Sequence, residues 1–167
     1  MAIITLKGNP LKTVGALPAI GATAPAFKLT GADLKDFTLN DFDGFRKILS
    51  IVPSLDTPVC AVSTKKFNDE VARLTGVVLI TISADLPFAQ KRFCESQSLK
   101  NGVTLSTFRA PDFGHVYGVQ IAEGPLSGLM SRAVLVLDAS NRILWTEQVP
   151  EIAQEPDYAA VLSVLRK

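Results

Sequence analysis

Ile48-Leu49-Ser50-Ile51-Val52-Pro53-Ser54-Leu55-Asp56-Thr57-Pro58-Val59-Cys60 carries the chain from a strand into a helix. The first five residues are apolar but for one serine, and three are β-branched, as a short buried strand requires. Pro58 suits a first helical turn, where a missing N–H is not needed. From there Cys60, Thr64, Phe67, Val71 and Leu74 recur at helical spacing and share one face, until Gly76 offers a stop. One of only two cysteines therefore stands at a strand-to-helix turn. Unpaired N–H groups and the helix dipole favour an anion there, and the thiolate is the reactive form of cysteine. The position is equally open to a small buried hydrophobe, as many free cysteines are.

Working outward, the flanking segments alternate in type. Val77–Ile82 is continuously apolar and β-branched, the pattern of a strand covered on both sides. Asp85 is placed to cap the next helix, with Pro87 in its first turn and Phe88, Phe93 and the second cysteine, Cys94, along it. Ala133–Leu137 and Ile143–Val149 flank the turn residues Asp138-Ala139-Ser140-Asn141, which predicts an antiparallel hairpin. Asp157–Leu165 predicts a closing helix with Tyr158, Val161, Leu162 and Leu165 facing inward. Ahead of all this, Ile3–Lys7 and Lys12–Gly15 are short candidate strands around Gly8-Asn9-Pro10. Gly21–Pro25 reads as extended loop, and Phe37-Thr38-Leu39 as a short strand or the entry to a helical turn. A strand–helix–strand–helix centre followed by a hairpin and a last helix is the thioredoxin-like order. The expectation is an α/β fold: a thioredoxin-like mixed β-sheet flanked by helices, with an added N-terminal β-hairpin. Residues 1–167 are expected to form a single domain, with residues 1–17 as the hairpin extension.

The totals narrow the chemistry. At 167 residues with 47% hydrophobic composition, the chain is long enough for one full core. Seventeen Lys and Arg against sixteen Asp and Glu leave a net charge of +1, which gives no support for nucleic-acid binding. No apolar run approaches the roughly 18 residues of a membrane helix. The first residues, Met1 to Lys7, lack the form of a signal peptide, so a cytoplasmic location is expected. Two cysteines and one histidine, His115, fall short of a zinc site. Two thiols in a reducing compartment instead favour a transient disulfide.

Pro53, Thr57 and Cys60 form a Pro-x-x-x-Thr-x-x-Cys pattern that resembles the active-site signature of the peroxiredoxins. The wording Pro-Ser-Leu-Asp-Thr-Pro-Val-Cys is similar to the thiol peroxidase branch of that family. So are Ser83-Ala-Asp-Leu-Pro-Phe-Ala-Gln-Lys-Arg-Phe-Cys94, Leu105-Ser-Thr-Phe-Arg109, Tyr117-Gly118, Gly124-Pro-Leu-x-Gly-Leu129 and Glu155-Pro-Asp-Tyr158. These segments run through nearly the whole chain in order.

The resemblance implies a role for each matching residue. Cys60 would be the peroxidatic cysteine, and Thr57 the hydroxyl that orients the peroxide. Pro53 would shield the sulfur from stray water. Arg132 would supply a guanidinium that favours the thiolate and binds substrate oxygens. Cys94 would be the resolving cysteine, closing an intramolecular Cys60–Cys94 disulfide on the Cys60 sulfenic acid. Two helices in a rigid fold need not bring their sulfurs within bonding reach, so local unwinding is expected in each cycle. Hydrogen peroxide and organic hydroperoxides would be substrates, and thioredoxin or a similar dithiol protein the reductant. A homodimer is implied, and no metal, haem, flavin or nucleotide cofactor is needed.

Two other readings stay in view. A thioredoxin-like disulfide oxidoreductase normally uses C-x-x-C, and here Ser63 occupies the second position. A non-catalytic interaction domain would carry two incidental buried thiols. His115 could in principle activate a thiol, but it lies in an apparent loop and the resembling family uses no histidine base. Phe108, Phe113, Leu126, Leu129 and Met130 could line an apolar entrance, though each is equally suited to core packing.

Overall fold

The computed structural model describes residues 1–167. Nine strands and four α-helices follow in the order β1 (Ile3–Leu6), β2 (Asn9–Lys12), β3 (Leu29–Gly31), β4 (Asp36–Phe37), β5 (Arg46–Ile51), α1 (Pro58–Val71), β6 (Val77–Ser83), α2 (Pro87–Ser96), β7 (Gly102–Ser106), α3 (Phe113–Val116), β8 (Ala133–Leu137), β9 (Ile143–Gln148) and α4 (Tyr158–Leu165). Strands β3 to β9 form one sheet in the order β4-β3-β7-β6-β5-β8-β9, while β1 and β2 form a two-stranded sheet of their own. β5, β6 and β7 run parallel, and β8 returns antiparallel to β5. The result is the expected mixed sheet flanked by helices, with a separate N-terminal hairpin.

Alternation along the central strands divides the core between the two faces. Ile48, Leu79, Val134 and Val136 point to one face, where they meet Phe67 and Val71 of α1 and Val161 and Leu165 of α4. Leu49, Ile51, Ile80, Ile82, Leu105, Leu135 and Leu137 point to the other, against Phe27, Phe113 and Tyr117. Phe67 is fully buried, and burial of such a side chain contributes about 1.5–3 kcal/mol. This double coverage anchors β5 and β8, whose ends carry the site residues.

Two local expectations need correction, and one is met in both its forms. The hairpin turns at Lys7 and Gly8, both with positive φ (51° and 81°), so β2 begins at Asn9 rather than Lys12. Two consecutive left-handed residues make the tight two-residue hairpin turn, and Pro10 is tolerated because it lies on a strand edge. The segment around Phe37 forms both alternatives: β4 ends there, and a 3₁₀ turn follows at Leu39–Phe42, capped reciprocally by Thr38 and Asp41. A short helix, α3, occupies the apparent loop around His115. Strand β7 was unanticipated, because a five-residue run opening on glycine carries little local strand signal.

Candidate active site

The site is assembled where the carboxyl ends of β5 and β6 meet the first turns of α1 and α2. β5 ends at Ile51, and the chain passes through Val52 and buried Pro53 to an irregular loop at Ser54–Asp56. Thr57 then caps α1 in extended conformation (φ −120°, ψ 148°), with Pro58 as the first helical residue. Cys60 is therefore the third residue of α1, among the amides with no intrahelical acceptor. Its side chain has 0% exposure and packs with Val52, Leu55 and Phe93.

The loop is held by a carboxylate from the neighbouring strand end. Asp85 Oδ1 accepts from Ser54 Oγ at 2.7 Å, and its Oδ2 accepts from the Leu55 amide and Ser83 Oγ, each at 2.7 Å. Ser54 in turn accepts from the Asp56 amide through its hydroxyl (3.1 Å) and from the Thr57 hydroxyl through its carbonyl (2.9 Å). Asp85 was expected to cap α2. That helix instead begins after Leu86 with no side-chain cap, because the Asp85 carboxylate is committed to the loop ahead of Cys60. Its role was missed in the sequence, where Asp85-Leu86-Pro87 carries the signature of a helix start.

Arg132 arrives from the strand on the other side of β5. Antiparallel pairing of Ile51 with Ala133 sets Arg132, just before β8, level with Val52. The side chain is 2% exposed. Its Nε donates to the Ile152 carbonyl at 3.0 Å, and its Nη2 donates to Cys60 Sγ at 3.1 Å. Nη1 is buried without a partner. A guanidinium against a sulfur at the start of a helix favours the anionic sulfur, by Coulomb attraction and a charge-assisted hydrogen bond. The unpaired Nη1 leaves one strong donor free for an incoming oxygen.

Thr57 is exposed, and with Leu55, Pro58, Ala61, Asp85, Arg92 and Phe93 it lines a cleft of about 580 Å³ between α1 and α2. Cys94 stands apart from this group. It is a free, half-buried thiol on α2, as Cys60 is a free thiol on α1. Cys94 lines a narrow gap with Thr64 and Asn68 of α1 and Thr104 of β7, one and two helical turns beyond Cys60. Burial pushes the Cys94 thiol up, opposed by a hydrogen bond with Thr104. Thus Cys60 and Arg132 are in contact, Pro53 and Thr57 lie in the stretch that leads from β5 into α1, and Cys94 sits on the adjoining helix with its sulfur on another level.

The remaining candidates divide between core and surface. Phe113 and Met130 belong to the main core, and Leu126 packs against a cluster of Ile4, Leu11, Ile121 and Ile152. Phe108 is exposed. His115 is exposed on α3. No group of three or more His, Cys, Asp or Glu side chains converges to hold a metal ion.

Known proteins share this architecture. A family model described as Redoxin matches residues 19–162. Thiol peroxidases of Mycobacterium tuberculosis and Mycobacterium bovis are 52% identical to this chain over 165 residues, covering 99% of each. Among solved structures, a peroxiredoxin-like protein from Aquifex aeolicus superimposes with a TM-score of 0.93 at 40% identity, covering 99% of this chain and 96% of that one. A thiol peroxidase from Chromobacterium violaceum gives 0.92 at 27% identity, covering 98% and 95%. A cysteine under a buried arginine, on a sheet of this topology and with relatives matched end to end, leads to one assignment: the chain belongs to the Redoxin family, in the thiol peroxidase branch of the peroxiredoxins.

Proposed function

We propose that the chain reduces hydroperoxides through Cys60, with Arg132, Thr57 and Pro53 forming the site and Cys94 resolving the product. The observation that carries this reading is the Arg132 Nη2–Cys60 Sγ contact of 3.1 Å beside a buried, unpartnered Nη1. In the first step the Cys60 thiolate attacks one peroxide oxygen. An S–O bond forms as the O–O bond breaks, and the departing RO⁻ takes up a proton to leave as water or alcohol. The cysteine becomes a sulfenic acid. Charge moves from sulfur to the leaving oxygen, so fixed donors stabilise the transition state more than the ground state. Arg132 Nη1 and Nη2 are suited to that role. The Thr57 hydroxyl, whose proton is held by the Ser54 carbonyl, keeps its oxygen available to accept from a protonated peroxide. Pro53, buried beside the loop, excludes water from the sulfur.

The second step needs movement. Cys94 attacks the sulfenic sulfur, an S–S bond forms, and hydroxide leaves as water. Cys60 is enclosed in the fold, whereas Cys94 faces Thr64 and Asn68 further along α1. The first turn of α1, the end of α2, or both must unwind to join them. A dithiol reductant of the thioredoxin kind then restores both thiols by exchange. We place this cycle in the cytosol and in a homodimer. No helix is long and apolar enough to cross a membrane.

Peroxide consumption coupled to thioredoxin tests the reading. Cys60→Ser is expected to abolish even the first turnover. Cys94→Ser is expected to complete one turnover and lose efficient cycling. Equal multi-turnover activity in both variants and the parent would overturn it. So would reduced and disulfide forms that superimpose without backbone movement near either cysteine, as regards the unwinding step.

A further inference from the structure

The N-terminal hairpin lies outside the main sheet, yet it is bound to the segment that holds Arg132. The Thr5 amide donates to the Pro150 carbonyl at 2.7 Å, and the Ile152 amide donates to the Thr5 carbonyl at 2.9 Å. Between these two pairings, Glu151 gathers the hairpin turn. Its Oε2 accepts from the Thr5 hydroxyl at 2.5 Å and the Gly8 amide at 3.2 Å, and its Oε1 from the Lys7 amide at 3.0 Å. Oε1 also accepts from the Ala153 amide at 3.3 Å, which bends the chain around Ile152.

Ile152 is consequently fixed on three sides. Its N–H is held by Thr5, and its side chain is packed with Ile4, Leu11 and Ile121. Its carbonyl accepts from Arg132 Nε. A guanidinium is planar and rigid, so fixing Nε sets the directions of Nη1 and Nη2 together. Those are the two donors at Cys60 and in the unpartnered buried position.

We propose that the N-terminal hairpin is a clamp that orients the Arg132 guanidinium over Cys60, with Glu151 as the positioning residue and the Ile152 carbonyl as the point of contact. The proposal rests on Cys60 and Arg132 being the reacting pair. Other charged or titratable groups around Arg132 are Glu155 and Tyr158, with Lys66 bridged to Glu155 at 2.8 Å. Their contacts run to α1 and α4, so substitution at Glu151 leaves them in place.

The test uses the full chain carrying Cys94→Ser, so that only the first step is read. Sulfenic acid formation with hydrogen peroxide and the pH profile of Cys60 alkylation by iodoacetamide are measured. Glu151→Ala is expected to slow peroxide attack about tenfold, since small misplacements of a positioning group are felt strongly in rate. It should also move the alkylation midpoint upward. Glu151→Gln keeps one acceptor oxygen and should recover part of the loss, while Asn9→Ala, on the exposed side of the hairpin, should behave as the parent. In an Arg132→Gln background, Glu151→Ala should cost nothing further, because its effect is transmitted through that guanidinium. A folded Glu151→Ala protein with the parent's rate and pH midpoint overturns the clamp, even if its melting temperature falls. If Glu151→Ala does not fold, Thr5→Val, which keeps the backbone pairing, is judged by the same criteria. Should Arg132→Gln alone leave rate and midpoint unchanged, the reading of the Cys60–Arg132 pair fails first, and the clamp with it.

Discussion

Arg132 Nη2 sits 3.1 Å from Cys60 Sγ although the two residues are 72 positions apart in the chain. The contact exists because β5 and β8 are hydrogen-bonded neighbours whose register ends at Ile51 and Ala133. One strand hands its next residues to the loop before α1, and the other begins just after the arginine. The separation is therefore a property of the sheet, and side-chain substitutions at the pair should change chemistry far more than fold.

Removing the guanidinium while keeping a polar group, as in Arg132→Gln, is expected to lower the first-turnover rate with peroxide by about 10²–10³, the usual loss when a transition-state donor is removed. Arg132→Lys should recover only part of it. A lysine retains the charge but cannot hold Ile152 and the sulfur at once with a planar fork. Stopped-flow measurement of sulfenic acid formation decides the matter, and full activity in Arg132→Lys would show that geometry is unimportant here.

Asp85 binds the Cys60 loop through Ser54 and the Leu55 amide. Asp85→Ala leaves these donors without their acceptor, a loss of about 1–3 kcal/mol. Less stabilisation of the folded loop should slow peroxide attack and speed disulfide closure, each by about tenfold for every 1.4 kcal/mol. Amide exchange at Leu55 should rise in parallel. Unchanged rates for both steps would exclude Asp85 as the restraint on loop opening.

For Cys94 the pH dependence is informative. Burial raises its thiol above the ordinary range, so in folded Cys60→Ser protein its alkylation should keep rising with pH beyond the point where a free thiol levels off. Disulfide closure in the active protein should instead level off at the ordinary thiol range if α2 has unwound and exposed the sulfur to water. Matching profiles for the two measurements would mean that resolution takes place without unwinding around Cys94.

Glu151 titrates low, at about 2, because the Thr5 hydroxyl and the Gly8, Lys7 and Ala153 amides all donate to its carboxylate. A carboxylate depressed in the folded state stabilises it fully above its ordinary value of 4.5, and that contribution is lost as pH falls toward about 2. Protection of the Thr5 and Ile152 amides should accordingly weaken across this window and be insensitive to pH between 6 and about 8. Glu151→Gln should flatten the dependence; an unaltered acid profile in that variant would assign it to another group.

Much of this was legible along the chain because it is local. Val77–Ile82 and Ala133–Leu137 announce themselves as buried strands by unbroken apolar composition, and both form as β6 and β8. Pro58 and the spacing from Cys60 through Val71 describe α1 within a few residues. Asp157, expected as the first residue of the closing helix, stands at its start as the cap and accepts from the Ala160 amide. In each case neighbours within one or two turns decide the outcome. Recognition of Cys60, Thr57 and Arg132 as a set came from resemblance, since residues from separate elements share no local pattern.

What only the tertiary structure decided lies wherever a side chain had two possible partners. Asp85 could cap α2 or bind the Ser54–Leu55 loop, and the proximity of the β5 and β6 ends settled it for the loop. Glu151 reads as an ordinary acidic residue until the hairpin folds across it. Gly102–Ser106 becomes a strand because β6 and β3 offer it hydrogen bonds on both sides. Periodicity and capping are written in short windows of sequence. The choice among distant hydrogen-bond partners belongs to the packed sheet, where a buried polar group must take whichever partner the fold brings within 3 Å or so.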